Sequence, residues 1–143
     1  MSKKSDRIVQ NLKETKTNLV YVGRGNDGKE AITNYKVIKE SKNYSLVEIK
    51  IETGRKNQIR VAFSSHKAPI LGDKKYGNKK DSSSRLYLHA NRLKIYYPVI
   101  KKDILFEVQT PIEFKKIINN DRWYYEKNWN YYCYFTSVFL YII

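Results

Sequence analysis

Between Val47 and His66 the spacing of apolar residues changes from two to between three and four, which places a strand, a bend and a helix in that order. Val47, Ile49 and Ile51 share one side of an extended segment, while Glu48, Lys50 and Glu52 share the other. That alternation is the mark of a half-buried β-strand. Gly54 marks the bend, after which Ile59, Ala62, Phe63 and His66 form one face of a short helix that ends at His66. Upstream, Ala31, Thr33, Tyr35 and Val37 alternate in the same way, and Glu40 to Asn43 supplies a polar connection, so the two strands make a hairpin. Beyond a loop with Pro69, Gly72 and Gly77, extended character returns at Leu86 and Leu88, at Leu93 to Tyr97, and at Ile104, Phe106 and Val108. Thr110-Pro111-Ile112-Glu113 combines a capping hydroxyl, a proline at the first helical position and an early glutamate, which predicts a helix over Pro111 to Ile118. Strand, strand, helix, strand, strand, helix implies an α+β fold, a largely antiparallel mixed sheet with short helices.

Composition divides the chain into a basic polar leader (1–18), one folded domain (19–120) and an aromatic-rich tail of unknown role (121–143), with ordered structure expected from about Leu19. Lys and Arg total 28 against 14 Asp and Glu, a formal charge of +14 on 143 residues. Such a surplus attracts polyanions at long range, and RNA, DNA, an acidic membrane or a solvated basic face all satisfy it. Cys133 is the only cysteine, which excludes an internal disulfide, and no Cys/His spacing suits zinc. A reducing cytoplasm fits that usage. The polar opening is unlike a secretory signal, and no apolar run reaches the ~18 residues a membrane span needs, Tyr131 to Ile143 coming nearest.

Chemical character concentrates in Glu52-Thr53-Gly54-Arg55-Lys56-Asn57-Gln58-Ile59-Arg60. Arg55, Lys56 and Arg60 gather near a helix N-terminus, where free N–H groups also favour phosphate. Arg60 lies beside Ile59 on a helix whose apolar face turns inward, so its guanidinium needs a carboxylate partner. An Asp or Glu that merely holds the fold would satisfy it equally well. Among the aspartates, Asp6, Asp27, Asp73, Asp81, Asp103 and Asp121 stand as possible acids; Asp73, in Gly72-Asp73-Lys74, is best read as closing a turn. His89 and His66 have no Ser or Cys partner that would make a triad. Tyr87, Tyr96 and Tyr97 fit strand packing better than base stacking.

Thr53-Gly54-Arg55-Lys56-Asn57-Gln58-Ile59-Arg60-Val61 resembles the signature of the RluA-type RNA pseudouridine synthases. Lys29 to Tyr35 is similar to the strand before that signature, Pro69-Ile70-Leu71-Gly72-Asp73-Lys74-Lys75-Tyr76-Gly77 to the loop after the helix, and Arg85 to Ala90 with Leu93 and Pro98 to a later strand. The resemblance spans about Asn18 to Asn120 and implies the C-terminal half of the catalytic domain. It implies a cofactor-free and metal-free isomerase that flips a uridine out of structured ribosomal or transfer RNA, with DNA and membrane not expected as partners. By the same resemblance Arg60 is the arginine that orients the catalytic aspartate, Ile59 lines the uracil pocket, and Arg55, Lys56 and Gln58 lie against RNA or the pocket wall. The chain departs from the family pattern in two ways. The His-Arg-Leu-Asp stretch with the nucleophile and the intervening base-stacking tyrosine do not occur in these 143 residues, and Asn57, Ala62, Ala68 and Tyr97 stand where histidines are common. Two readings follow from these departures: a fragment of the enzyme with its N-terminal half encoded separately, or an inactive RNA-binding remnant.

Overall fold

The computed structural model describes residues 3–118 and 137–142. Its strands are β1 (Ser5–Glu14), β2 (Val20–Val22), β3 (Lys29–Glu40), β4 (Ser45–Ile51), β5 (Leu88–Tyr97), β6 (Lys102–Glu107) and β7 (Ser137–Ile142), with helices α1 (Gln58–Ser65) and α2 (Ile112–Ile118). They build one α+β layer, a seven-stranded sheet in the order β2-β1-β3-β4-β7-β5-β6. Every pairing among the described residues is antiparallel, so no parallel strand makes the sheet mixed.

The β3–β4 hairpin forms as its alternation predicts: Val47 opposes Val37 and Ile49 opposes Tyr35, and Ser41 N–H donates to the Tyr44 carbonyl at 2.8 Å to close the turn. The inward residues of both strands meet α1 in the main core, where Phe63 and Ile49 are fully buried and the Tyr35 and Phe63 rings pack edge to face at 5.6 Å. Gly54 and the following turn swing the chain from β4 across this face, and the C-cap of α1 is His66, as its spacing suggests. Towards the C-terminus, α2 begins one residue later than expected and buries Phe114 and Ile118 against Leu46, Leu71 and Tyr87.

Three expectations are corrected. Ordered structure begins well before Leu19, because β1 runs through the basic leader and pairs with β3 from Ser5↔Lys36 to Leu12↔Lys29. Only Ile8 and Leu12 in β1 are buried apolar residues, while its exposed cations find carboxylates on neighbouring segments: Arg7 pairs with Glu52 and Lys13 with Asp27. A strand with so few apolar positions is held by its ladder and by those pairs. Within the tail, Ser137–Ile142 form β7, which joins β4 to β5, whereas the expectation for residues 121–136 lies outside the described residues.

The third correction concerns the polar side of β4. Glu48, expected to be solvated, is buried between β3 and β7. Burial pushes its carboxyl above the usual carboxylate range, partly offset by Lys50, Lys36 and Arg92. An acid raised in the folded state opposes folding once ionised, so its penalty is absent well below the ordinary value, grows between the ordinary value and the raised one, and is complete above the raised one. Glu48→Gln is therefore expected to raise the urea midpoint at pH 7 and to leave it unchanged near pH 4. A lower midpoint at pH 7 would show that the charge is favourable where it stands.

Candidate functional site around Arg60

The bend between β4 and α1 is built on Gln58. Its Nε2 donates to the Ile32 carbonyl at 2.9 Å and to Thr33 Oγ1 at 3.0 Å, and its Oε1 accepts from Thr53 Oγ1 at 2.8 Å and from the Arg55 N–H at 3.0 Å. A buried amide with both ends engaged pins the loop to β3. Ile59, one residue on, belongs to the main core with Tyr35 and Phe63. With these two beneath it, the loop presents Arg55 and Lys56 outward. Arg55 donates from Nε to the Glu30 carbonyl at 2.9 Å, and Lys56 contacts Glu14 and, at 2.8 Å, Asn18.

Arg60 emerges from the first turn of α1 into a bidentate pair with Asp73: Nε donates to Oδ2 at 2.8 Å and Nη2 to Oδ1 at 2.7 Å. Its Nη1 donates to Asn57 Oδ1 at 3.1 Å, and the guanidinium lies 5.0 Å from the centre of the Tyr76 ring. Asn57 is free for that task because it sits at the N-cap in a left-handed conformation, φ 52°, without capping the helix through its side chain. Its Nδ2 donates to Tyr76 Oη at 3.3 Å, and the Val20 N–H donates to the same oxygen at 3.0 Å, so Tyr76 ties β2 to α1. Three of the five guanidinium N–H groups are thereby used, which leaves two at a side chain that is 23% exposed.

Asp73 is 1% exposed and its surroundings are fixed by its own turn. Gly72, at φ +78°, has no room for a Cβ against the Arg85 carbonyl, and Gly77 N–H donates to the Asp73 carbonyl at 2.8 Å. The Lys75 and Tyr76 N–H groups both donate to Asp73 Oδ1, at 3.0 and 2.9 Å. Burial alone would raise this carboxyl, but the hydrogen bonds from Arg60, Tyr76 and Lys75 outweigh it and hold it below the usual range. The same partner holds the guanidinium of Arg60 above its ordinary value, so both ions persist across physiological pH.

The turn reading of Asp73 thus holds, and the loop adds what the arginine spacing did not reveal: a carboxylate thirteen residues from Arg60, a tyrosine under the guanidinium, and Lys75, whose Nζ reaches the Asn18 carbonyl at 2.8 Å. Gly72-Asp73-Lys74-Lys75-Tyr76-Gly77 carried the signal, a pair of glycines framing one acid and one aromatic. Among the positions where histidines are common, Asn57 joins the Arg60 network, Ala62 is buried in the core, and Tyr97 is exposed on β5. Among the described residues, the His66 side chain bonds locally, at Ala62 and Ser65.

The family model described as RNA pseudouridylate synthase matches residues 1–65, and so reaches further towards the N-terminus than the motifs read from the sequence. An uncharacterized RNA pseudouridine synthase of Aquifex aeolicus is 38% identical over 102 residues, covering 64% of this chain and 32% of its own length. Ribosomal large subunit pseudouridine synthase C of Rickettsia prowazekii is 35% identical over 116 residues, covering 78% of this chain and 38% of its own. The chain therefore spans about a third of the length of these curated relatives. In fold, it matches the human RNA pseudouridylate synthase domain containing 1 with a TM-score of 0.60 over 85% of this chain and 62% of that one, at 19% identity. No helix among the described residues is long and apolar enough to cross a membrane. From the motif order, the sheet and these likenesses together, the chain belongs to the RluA-type family of RNA pseudouridine synthases.

Proposed function

We propose that this chain is the arginine-bearing part of an enzyme that isomerises uridine to pseudouridine in structured ribosomal or transfer RNA, in the cytoplasm. The observation that carries the reading is Arg60: a guanidinium held on three sides by Asp73, Asn57 and Tyr76, with two N–H groups still unassigned. Those two suit a second carboxylate, the nucleophilic aspartate that family resemblance places in a His-Arg-Leu-Asp segment outside residues 1–143. The aspartate attacks the nucleotide, the bond from ribose to uracil nitrogen breaks, and the turned base is rejoined through carbon, its ring nitrogen ending with the proton that the carbon gives up. No co-reactant is consumed. Arg55 and Lys56 are assigned to phosphates beside the flipped nucleotide, while Gln58 and Ile59 support that contact from beneath by fixing the bend.

One observation favours a second reading, an RNA-binding remnant without chemistry: Asp73 already fills one edge of the Arg60 fork. Uridine conversion in ribosomal RNA, read by a label selective for pseudouridine, separates the two. The 143-residue chain alone is expected to give none, and addition of a family N-terminal half carrying His-Arg-Leu-Asp is expected to restore it. No product from a verified complex favours the remnant.

RNA binding is expected under either reading, with affinity falling steeply as salt rises because counterions leave the phosphates. Arg55→Ala should weaken binding and reduce the slope of log affinity against log salt by about one. An unchanged slope would take Arg55 off the backbone.

A further inference from the structure

A groove of about 790 Å³ lies away from the Arg60 cluster, between the β3–β4 turn and the two ends of the loop that joins α1 to β5. Lys42 stands on the first wall, Lys67 on the second and Lys80 on the third, with the hydroxyls of Ser41 and Ser82 between them. Elsewhere Lys3, Arg7, Lys13, Lys56, Arg60, Arg92 and Lys94 make ion pairs. By contrast Lys42, Lys67 and Lys80 make none with the described residues. Two carboxylates, Glu40 and Asp81, also line the groove. Asp81 is turned to its own loop, accepting from the N–H groups of Gly72 and Ser83.

The walls are rigid. Ser41 closes the hairpin turn through its backbone and through Oγ, which donates to the Tyr44 carbonyl at 3.1 Å. The Ala68 N–H donates to the Phe63 carbonyl at 3.0 Å, and Tyr87 N–H to the Leu71 carbonyl at 2.9 Å. Ile70, 1% exposed and part of the main core, anchors the floor. Three lysines that make no ion pair with the described residues, on a fixed, hydroxyl-bearing frame, match a run of phosphates better than an apolar peptide, whose side chains would find little to bury against. Tyr44, at 36% exposure on the rim, offers a ring face to an unstacked base.

We infer that this groove seats a single-stranded segment of the RNA substrate, as a second contact separate from the Arg60 cluster. The inference rests on the proposed RNA function and extends it. The loop that carries Asp73 also supplies two walls of the groove, so a strand leaving the Arg60 cluster meets the groove along the same loop. The lysines contact phosphates and confer affinity without sequence preference.

The test uses the full 143-residue chain and a labelled RNA hairpin with an unpaired flank, titrated across a salt series. Lys42→Gln/Lys67→Gln/Lys80→Gln is compared with Lys101→Gln/Lys102→Gln/Lys116→Gln, a set of exposed lysines outside the groove, after thermal melts confirm that both variants are folded. The groove triple should flatten the slope of log affinity against log salt by about two to three, whereas the control triple should change it by less than about one. Removing the unpaired flank should erase the difference between them. Equal slopes for the two triples, or a difference that survives without the flank, would overturn the groove assignment and leave the proposed function standing. If the unaltered chain binds no RNA at low salt, the proposed function fails along with it.

Discussion

Arg60→Ala is expected to cost about 3–5 kcal/mol of folding stability, because it strands a carboxylate that the fold keeps almost wholly from water. Asp73 would retain the Lys75 and Tyr76 N–H groups but lose both guanidinium bonds. A small domain has only about 5–15 kcal/mol to lose, so the variant should unfold at a visibly lower urea concentration and express poorly. The sign with pH follows from the lowered Asp73 carboxyl. Its contribution is fully present above the unfolded carboxylate value, and it is lost as pH falls through the depressed folded value. The deficit of Arg60→Ala should accordingly shrink in acid. Placing Asp73→Asn behind it should shrink the deficit as well, since a neutral amide is cheaper to leave alone than an anion. A deficit within about 1 kcal/mol, constant with pH, would show that water replaces the arginine at little cost, in the manner of an exposed pair.

The second large effect concerns the chemical step. In a complex with an aspartate-bearing N-terminal half, Arg60→Lys is expected to lower kcat/KM for uridine conversion by about 10²–10³-fold while RNA affinity stays nearly unchanged. Lysine carries the charge on one point, so it cannot hold Asp73 through two parallel bonds and still offer donors to a second carboxylate. The variant must be assayed at a temperature where its melt shows it folded, because part of the Asp73 pair goes with the substitution. RNA affinity serves as the internal reference: Arg60 is committed to Asp73 and Asn57, whereas Arg55 faces outward. Activity equal to that of the unaltered complex would remove Arg60 from the catalytic geometry and leave it a purely structural role.

How far each feature could be read from the chain depends on where its partners lie. The β3–β4 hairpin and α1 were legible because each carries its own period, two for Val47, Ile49 and Ile51, then three to four from Ile59 onward. β1 was not: Ile8 and Leu12 are its only buried apolar residues, and what makes it a strand is the edge of β3, about twenty-five residues downstream. β7 was hidden in the same way, since its neighbours β4 and β5 lie far upstream in sequence. In the site, Arg60 stood out by its place next to Ile59, and its need for a carboxylate followed from burial. Which carboxylate could not be read, because the Arg60–Asp73 pair depends on a turn that Gly72 permits at φ +78°. The Arg60–Asp73 pair answers the fold reading left open at the start with one edge of the guanidinium, and the other edge is what the proposed chemistry would use.

The position of β7 bears on the order in which the sheet can be made. Among the described residues, β5 and β6 are joined to β4 by strand pairing through β7 alone, so the sheet's ladder stays in two pieces until Ser137–Ile142 arrive. A ribosome making this chain delivers β1 to β4 and α1 early, as a unit with its own core, while the β5–β6 hairpin must wait with one flank unpaired for the strand that bridges it. During that interval the open sides of β4 and β5 present unsatisfied N–H and C=O groups to any other nascent chain. A stop codon before Ser137 would make that waiting state permanent, leaving the edges of β4 and β5 without the strand that pairs with both.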